Sequence, residues 1–97
     1  MAEKDREGED DEVGIRALAL TALADGESGR ILRLPGSGAA KGKLEAMGIV
    51  VGAVVAKKGA ALRRGPVVVE MAGSQLALSY ATAEGILVEA PRRRDGR

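Results

Sequence analysis

The second half of the chain alternates aliphatic residues with other residues, which is the period of β-strands. Val67, Val69 and Met71 fall on one face of a predicted strand. Residues 74–80 and 86–90 repeat the pattern, and glycine-bearing turns separate these segments. Several short strands at this spacing predict a small β-barrel.

A different period indicates one short helix nearer the start of the chain. Residues 30–34 form a short apolar predicted strand, and a glycine-rich turn follows them. Ala40, Leu44 and Met47 then recur at i, i+4 and i+7, the spacing of one helical face. We predict that Ser37 caps the start of this helix and that Gly48 ends it.

Charge is distributed unevenly along the 97 residues, whose formal net charge is +1. Residues 1–12 contain seven acids and two bases, and residues 91–97 contain four bases and one acid. Charged segments of this kind bury too little apolar surface to offset the entropy of ordering. We therefore predict a disordered acidic tail over residues 1–14, one domain over residues 15–90 and a disordered basic tail over residues 91–97.

The residue types that are absent limit the chemistry open to this chain. Cysteine and histidine are both missing, so a zinc or iron site of the usual kind cannot be assembled from this chain alone. Ser-His and Cys-His catalytic pairs are excluded for the same reason. The acids of the predicted domain form no recognisable pair, and we expect neither an enzyme nor a bound cofactor. A carboxylate site for a hard cation stays open.

The glycine-rich segment 36–44 has the outline of a phosphate-binding loop. Such a loop needs Gly, four residues, Gly-Lys and then Ser or Thr. Gly42 and Lys43 supply the pair, but Ser37 stands in place of the first glycine and Leu44 in place of the hydroxyl residue. We therefore expect these glycines to serve turns rather than to bind a nucleotide.

Neither a signal peptide nor a membrane span is visible in the sequence. The start is acidic, where a signal peptide would be basic and then apolar. No apolar run approaches the roughly 20 residues that a helix needs to cross a bilayer. The expected location is therefore the cytoplasm.

Glycines and aliphatic residues recur in a definite order over about residues 17–90. The most specific segment has a basic residue and Leu, then Met-Gly and an aliphatic residue, then Gly. It consists of Lys43, Leu44, Met47, Gly48, Ile49 and Gly52. The other matching positions are Leu20, Leu23, Gly26, Ile31, Leu34, Gly36, Gly38, Pro66, Val67, Val69, Met71, Gly73, Leu76, Ala77, Leu78, Ser79, Ala83, Ile86 and Val88. This order and spacing resemble the FeoA family, small cytoplasmic proteins of bacterial ferrous-iron uptake.

The resemblance implies a mainly β fold, an SH3-like small β-barrel with a short helix inserted after the first strand. The same pattern occurs in the C-terminal domains of DtxR-type metal-dependent repressors, but this chain lacks a helix-turn-helix region. The implied function is that of a non-enzymatic binding module. It would dock on the cytoplasmic GTP-binding part of the membrane permease FeoB and support or regulate iron(II) uptake.

Basic residues of the predicted domain are the candidate contacts with such a partner. They are Arg30 and Arg33 on the first predicted strand, and Lys57, Lys58, Arg63 and Arg64 flanking one turn. Ordinary solvated charge is the alternative for each of them. The alternative function is a nucleic-acid-binding barrel or a metal-dependent-regulator-like domain, since the domain is net basic. The single aromatic residue, Tyr80, and the acidic start both make nucleic acid an unlikely partner, and the oligomeric state stays open.

Overall fold

The computed structural model describes residues 14–60 and 63–92. The strands are β1 (Ile15–Ala19), β2 (Ser28–Arg33), β3 (Val54–Ala60), β4 (Val67–Met71), β5 (Ser74–Leu78) and β6 (Leu87–Pro91). The helices are α1 (Gly38–Ala46) and α2 (Tyr80–Glu84), and a 3₁₀ turn spans Leu20–Ala22. Over these two ranges, neither helix has the length and apolar character needed to cross a bilayer.

All six strands form one antiparallel sheet in the order β1-β6-β2-β3-β4-β5. The last strand lies between the first two, so both ends of the described chain meet at one place. The Arg92 amide donates a hydrogen bond of 2.7 Å to the Gly14 carbonyl oxygen there. In the part of the chain that the structure describes, β1 and β5 are the edge strands.

The inner face of the sheet packs on a single aliphatic core. Val67 and Val69 point into it and Met71 is half-buried, as the alternation in the sequence predicts. Among the described residues, every buried side chain is aliphatic. The largest fully buried ones are Leu20, Leu23, Ile31, Ile49, Val55, Val67, Val69, Ile86 and Val88. Full burial of such a side chain contributes roughly 1.5–3 kcal/mol, so these residues carry most of the stability.

Helix α1 begins and ends where the sequence predicts, but it contacts the core through one residue. Ser37 is the N-cap, although its side chain makes no capping hydrogen bond to the described residues. Gly48 ends the helix with a φ of +91°. Leu44 is buried, whereas Ala40 is exposed and Met47 is 46% exposed. The predicted three-residue apolar face is therefore wrong. The chain turns at Gly48, and the Ile49 amide donates to the Leu44 carbonyl oxygen. Ile49 is thus buried while Met47 stays on the surface.

The mainly β fold class is confirmed, with one correction to the position of the helix. Helix α1 follows the second strand rather than the first, because residues 15–19 already form β1 by pairing with β6. Alanines at positions 17 and 19 hide the alternation of this strand in the sequence. Pro91 belongs to β6. The predicted tails fall mostly on residues 1–13 and 93–97, outside the described residues, so they stay predictions.

Candidate functional site

A bulge in β2 places two arginines on the same face of the sheet. Arg30 lies opposite Glu89, and Arg33 lies opposite Leu87. The two partner residues are two positions apart on β6 and share a face, whereas the arginines are three positions apart on β2. The extra residue of the bulge, Leu32, allows Arg30 and Arg33 to point outward together.

Four neighbouring strands present one row of directly opposed residues on this outer face. Ala17 opposes Glu89, Glu89 opposes Arg30, and Arg30 opposes Val54. Beside this row the side chains leave a groove of about 310 Å³, which we call the outer groove. Its main lining residues are Ile15, Ser28, Arg30, Val54, Glu89 and Pro91. The outer groove therefore combines aliphatic walls with one charged pair.

A second groove adjoins the first at Val54. It lies between the end of α1, the start of β3 and the β4–β5 hairpin, and we call it the hairpin groove. Its volume is about 610 Å³, and its lining residues include Met47, Ala53, Val54, Met71 and Leu76. None of the described residues that line it carries a charge. Because methionine side chains adapt their shape, this groove can accommodate apolar side chains of several kinds.

Large aliphatic side chains are exposed at the outer groove and elsewhere on the surface. Ile15 is 62% exposed, Val54 is 51% exposed, and Val51 in the preceding loop is 60% exposed. Leu32 and Val50 are exposed to a smaller extent. Ile15 and Val54 both line the outer groove, so its exposed apolar walls are a candidate contact surface for another molecule.

The two predicted site residues on β2 differ in how far they are already engaged. Arg30 Nη1 donates a hydrogen bond of 3.2 Å to the Gly52 carbonyl oxygen. Its Nε lies 3.8 Å from a Glu89 carboxylate oxygen. Arg33 is exposed and has neither an ion pair nor a side-chain hydrogen bond within residues 14–60 and 63–92. Arg33 is therefore the freer of the two cations to meet a partner.

Lys57 and Lys58 point away from each other and have different surroundings. The Lys57 side chain is 13% exposed, and its Nζ donates to the carbonyl oxygens of Thr21 at 3.1 Å and Leu23 at 2.9 Å. This ammonium group holds the β1–β2 loop and is not presented to a partner. Lys58 Nζ is on the surface, 3.3 Å from a Glu70 carboxylate oxygen.

The remaining predicted residues lie in the turn between β3 and β4. Arg63 is exposed. Arg64 has a φ of +61°, and its guanidinium carbon lies 5.7 Å from the centre of the Tyr80 ring. This contact is a cation–π interaction and uses the one aromatic ring of the chain. The structure thus brings Arg30 and Arg33 to one face of β2, while the other four cations lie on β3 and in the β3–β4 turn.

Sequence reasoning missed the outer groove, although one signal for it was present. Val54 and Val55 are adjacent apolar residues in a strand, so they must point to opposite faces. Val55 is buried, which leaves Val54 on the outer face. Over residues 14–60 and 63–92, no three acidic, histidine or cysteine side chains come together in a group that could hold a metal ion.

The chain is similar to proteins of one family and to several solved structures. A family model described as the FeoA domain matches residues 18–90. Iron(II) transport protein A from Clostridium thermocellum is 32% identical, with a TM-score of 0.70, over 75% of this chain and 45% of that protein. No curated protein matches the chain.

Two more distant structures share the fold. FeoA from Stenotrophomonas maltophilia, in complex with zinc, is 20% identical over 79% of this chain and 98% of that one, with a TM-score of 0.65. It is described as a prokaryotic SH3 domain protein and a candidate ferrous-iron transport activating factor. A manganese-dependent transcriptional repressor is 21% identical over 79% of this chain and 43% of the repressor, with a TM-score of 0.66.

Proposed function

Because this chain belongs to the FeoA family, we propose that it is a non-enzymatic accessory protein of ferrous-iron transport. It acts in the cytoplasm and docks on the cytoplasmic GTP-binding part of an FeoB-type membrane permease. Through this contact it supports or regulates the uptake of iron(II) and does not carry the metal itself. The absence of histidine and cysteine from the sequence supports this, because iron sites in proteins commonly use these ligands.

The observation that carries the proposal is the exposed aliphatic surface on the strands of the sheet. Ile15 and Val54 are both more than half exposed, and each belongs to a strand with a hydrogen-bonded neighbour. Strand pairing already fixes the backbone that carries these side chains, so no backbone ordering has to accompany the binding of a partner. A preformed apolar face is what a docking module requires, whereas an enzyme requires convergent reactive groups.

The alternative functions have less support. Glu89 occupies the same row as Arg30 on the outer face, and its charge would oppose the phosphates of a nucleic acid. Tyr80 is engaged by Arg64 and is not free for base stacking. The likeness to the manganese-dependent repressor is a relation of fold, at 21% identity, and carries no regulatory function to this chain.

Binding to the purified cytoplasmic part of the permease tests the proposal. The full chain is immobilised and the permease fragment is titrated over it at low salt, in the presence of GTP or of GDP. We expect saturable binding in at least one nucleotide state. The SH3-like domain of a metal-dependent repressor, which has the same fold, is the control and should not bind. Absence of saturable binding in both nucleotide states would refute the proposed partner.

A further inference from the structure

We propose that the outer groove receives a segment of the permease that carries one large apolar side chain and a nearby carboxylate. The apolar side chain enters between Ile15 and Val54, and the carboxylate meets Arg33. This inference rests on the proposed function, because the segment belongs to the permease's cytoplasmic part. It adds which face of the domain is used and what chemistry that face recognises.

The shape of the outer groove suits a protruding side chain. Ile15 and Pro91 stand on one side of it and Val54 on the other, while Ser28 and Gly29 between them are small. A volume of about 310 Å³ is at the lower end of the range for small-molecule sites. The groove therefore has room for one or two side chains of a partner rather than for a cofactor.

The walls of the outer groove favour an apolar occupant. Ile15 is 62% exposed and Val54 is 51% exposed, so both would lose contact with water when the groove is filled. These two residues come from strands β1 and β3, which are held on either side of β6 and β2. The walls are thus part of the sheet and do not need to form when the partner arrives.

The charges at the groove favour an acidic neighbour to that apolar side chain. Arg30 Nε lies 3.8 Å from a Glu89 carboxylate oxygen, so these two opposite charges partly offset each other. The residues opposite Arg30 and Arg33 are two positions apart on β6, and a strand rises about 3.4 Å per residue. Arg33 therefore lies roughly 7 Å from Arg30 along the same face. Since no described acid pairs with Arg33, a carboxylate on the partner supplies the missing opposite charge.

This combination favours a protein segment over other classes of ligand. A nucleic acid or another phosphate-rich ligand would have to approach Glu89 and aliphatic walls, and neither attracts phosphate. A protein segment with an apolar anchor and an acidic neighbour complements every part of the face. Interfaces of this kind place an apolar anchor in a pocket and surround it with polar contacts.

The test is an amide NMR titration of the full ¹⁵N-labelled chain with the permease's cytoplasmic part. The expected chemical-shift changes concentrate on Ile15, Gly29, Arg30 and Glu89, which line the outer groove alone. Changes concentrated on the hairpin groove, at Met71 and the residues around it, would overturn the inference and leave the proposed function standing. Shift changes at the outer groove on raising the concentration of the chain alone would assign the groove to a second copy and also overturn it.

Two pairs of matched variants complete the test. Ile15→Glu should weaken binding about tenfold or more, because it places a charge in the aliphatic wall of the outer groove. Val51→Glu, outside both grooves, should change binding less than about twofold. Arg33→Glu should weaken binding about fivefold. Its control is Lys43→Glu on α1, which changes the net charge of the chain by the same amount and should change binding less than about twofold. Equal effects within each pair overturn the groove assignment, whereas failure of the wild-type chain to bind overturns the proposed function as well.

Discussion

Lys57 on β3 holds the loop between β1 and β2 through the carbonyl oxygen of Leu23, to which its Nζ donates a hydrogen bond of 2.9 Å. The same nitrogen also donates to the Thr21 carbonyl oxygen at 3.1 Å. The backbone repeats the connection, since the Gly26 amide donates to the Lys57 carbonyl oxygen and the Lys57 amide donates to that of Glu27. A lysine that the sequence suggests as a partner contact is therefore part of the fold.

Lys57→Met should destabilise the domain by about 1–3 kcal/mol. The substitution keeps most of the aliphatic stem but leaves the carbonyl oxygens of Thr21 and Leu23 without their donor. Urea unfolding followed by circular dichroism measures the change. Lys58→Met is the control, and it should change stability by less than about 0.5–1 kcal/mol because the Lys58–Glu70 pair is on the surface. Equal losses for the two variants would contradict the role of Lys57.

Gly29→Ala should destabilise the domain by about 1–3 kcal/mol through overpacking. A Cβ at this position would lie 2.9 Å from Val88 Cγ2, a distance that real Cβ atoms do not adopt. Gly42→Ala is the control, because a Cβ there meets nothing within 4 Å and alanine favours helix α1 by about 1 kcal/mol. Thermal unfolding of both variants should thus give shifts of opposite sign.

A second substitution at the contact tests whether the loss at Gly29 comes from the clash itself. Val88→Ala removes Cγ2, the atom nearest to the new Cβ, although the Val88 Cβ at 3.0 Å and the Glu89 carbonyl oxygen at 3.2 Å stay in place. The double variant Gly29→Ala with Val88→Ala should therefore be less destabilised than the sum of the two single variants. Simple additivity would show that the contact with Val88 Cγ2 is not the cause.

Ala72→Asn should stabilise the domain by about 1 kcal/mol. Ala72 and Gly73 form the two-residue turn between β4 and β5, with φ values of +48° and +84°. Such a turn favours Asn-Gly, whereas alanine is strained at positive φ. The measurement is the unfolding midpoint in urea. Ala77→Asn, on the exposed side of β5, is the control and should give no gain because asparagine is unfavourable in strands.

The sequence was sufficient for the elements whose patterns are local. Val67, Val69 and Met71 alternate strictly, and β4 follows directly from them. Strand β1 was not foreseen as a strand, since alanine is compatible with many structures and Ile15 is exposed. What defines β1 is its pairing with β6, which comes from the opposite end of the chain and leaves no local signal.

The candidate site depends even more on pairing between distant strands. Arg30 and Arg33 are three residues apart, and a regular strand would place them on opposite faces. Their shared face follows from a bulge that appears only when β2 is aligned with β6. In the same way, Lys57 lies close to Leu23 only after β3 has taken its place beside β2. The sequence supplied these residues as candidates, but the register assigned their roles.

The position of β6 between β1 and β2 has a consequence for folding during translation. A ribosome releases β1 and β2 long before residues 87–91, so these two strands must wait for the neighbour that joins them. Contacts of such long sequence separation form slowly. The nascent chain therefore cannot close its interior until the last strand has emerged from the exit tunnel, and the exposed edges of β1 and β2 are then open to chaperones.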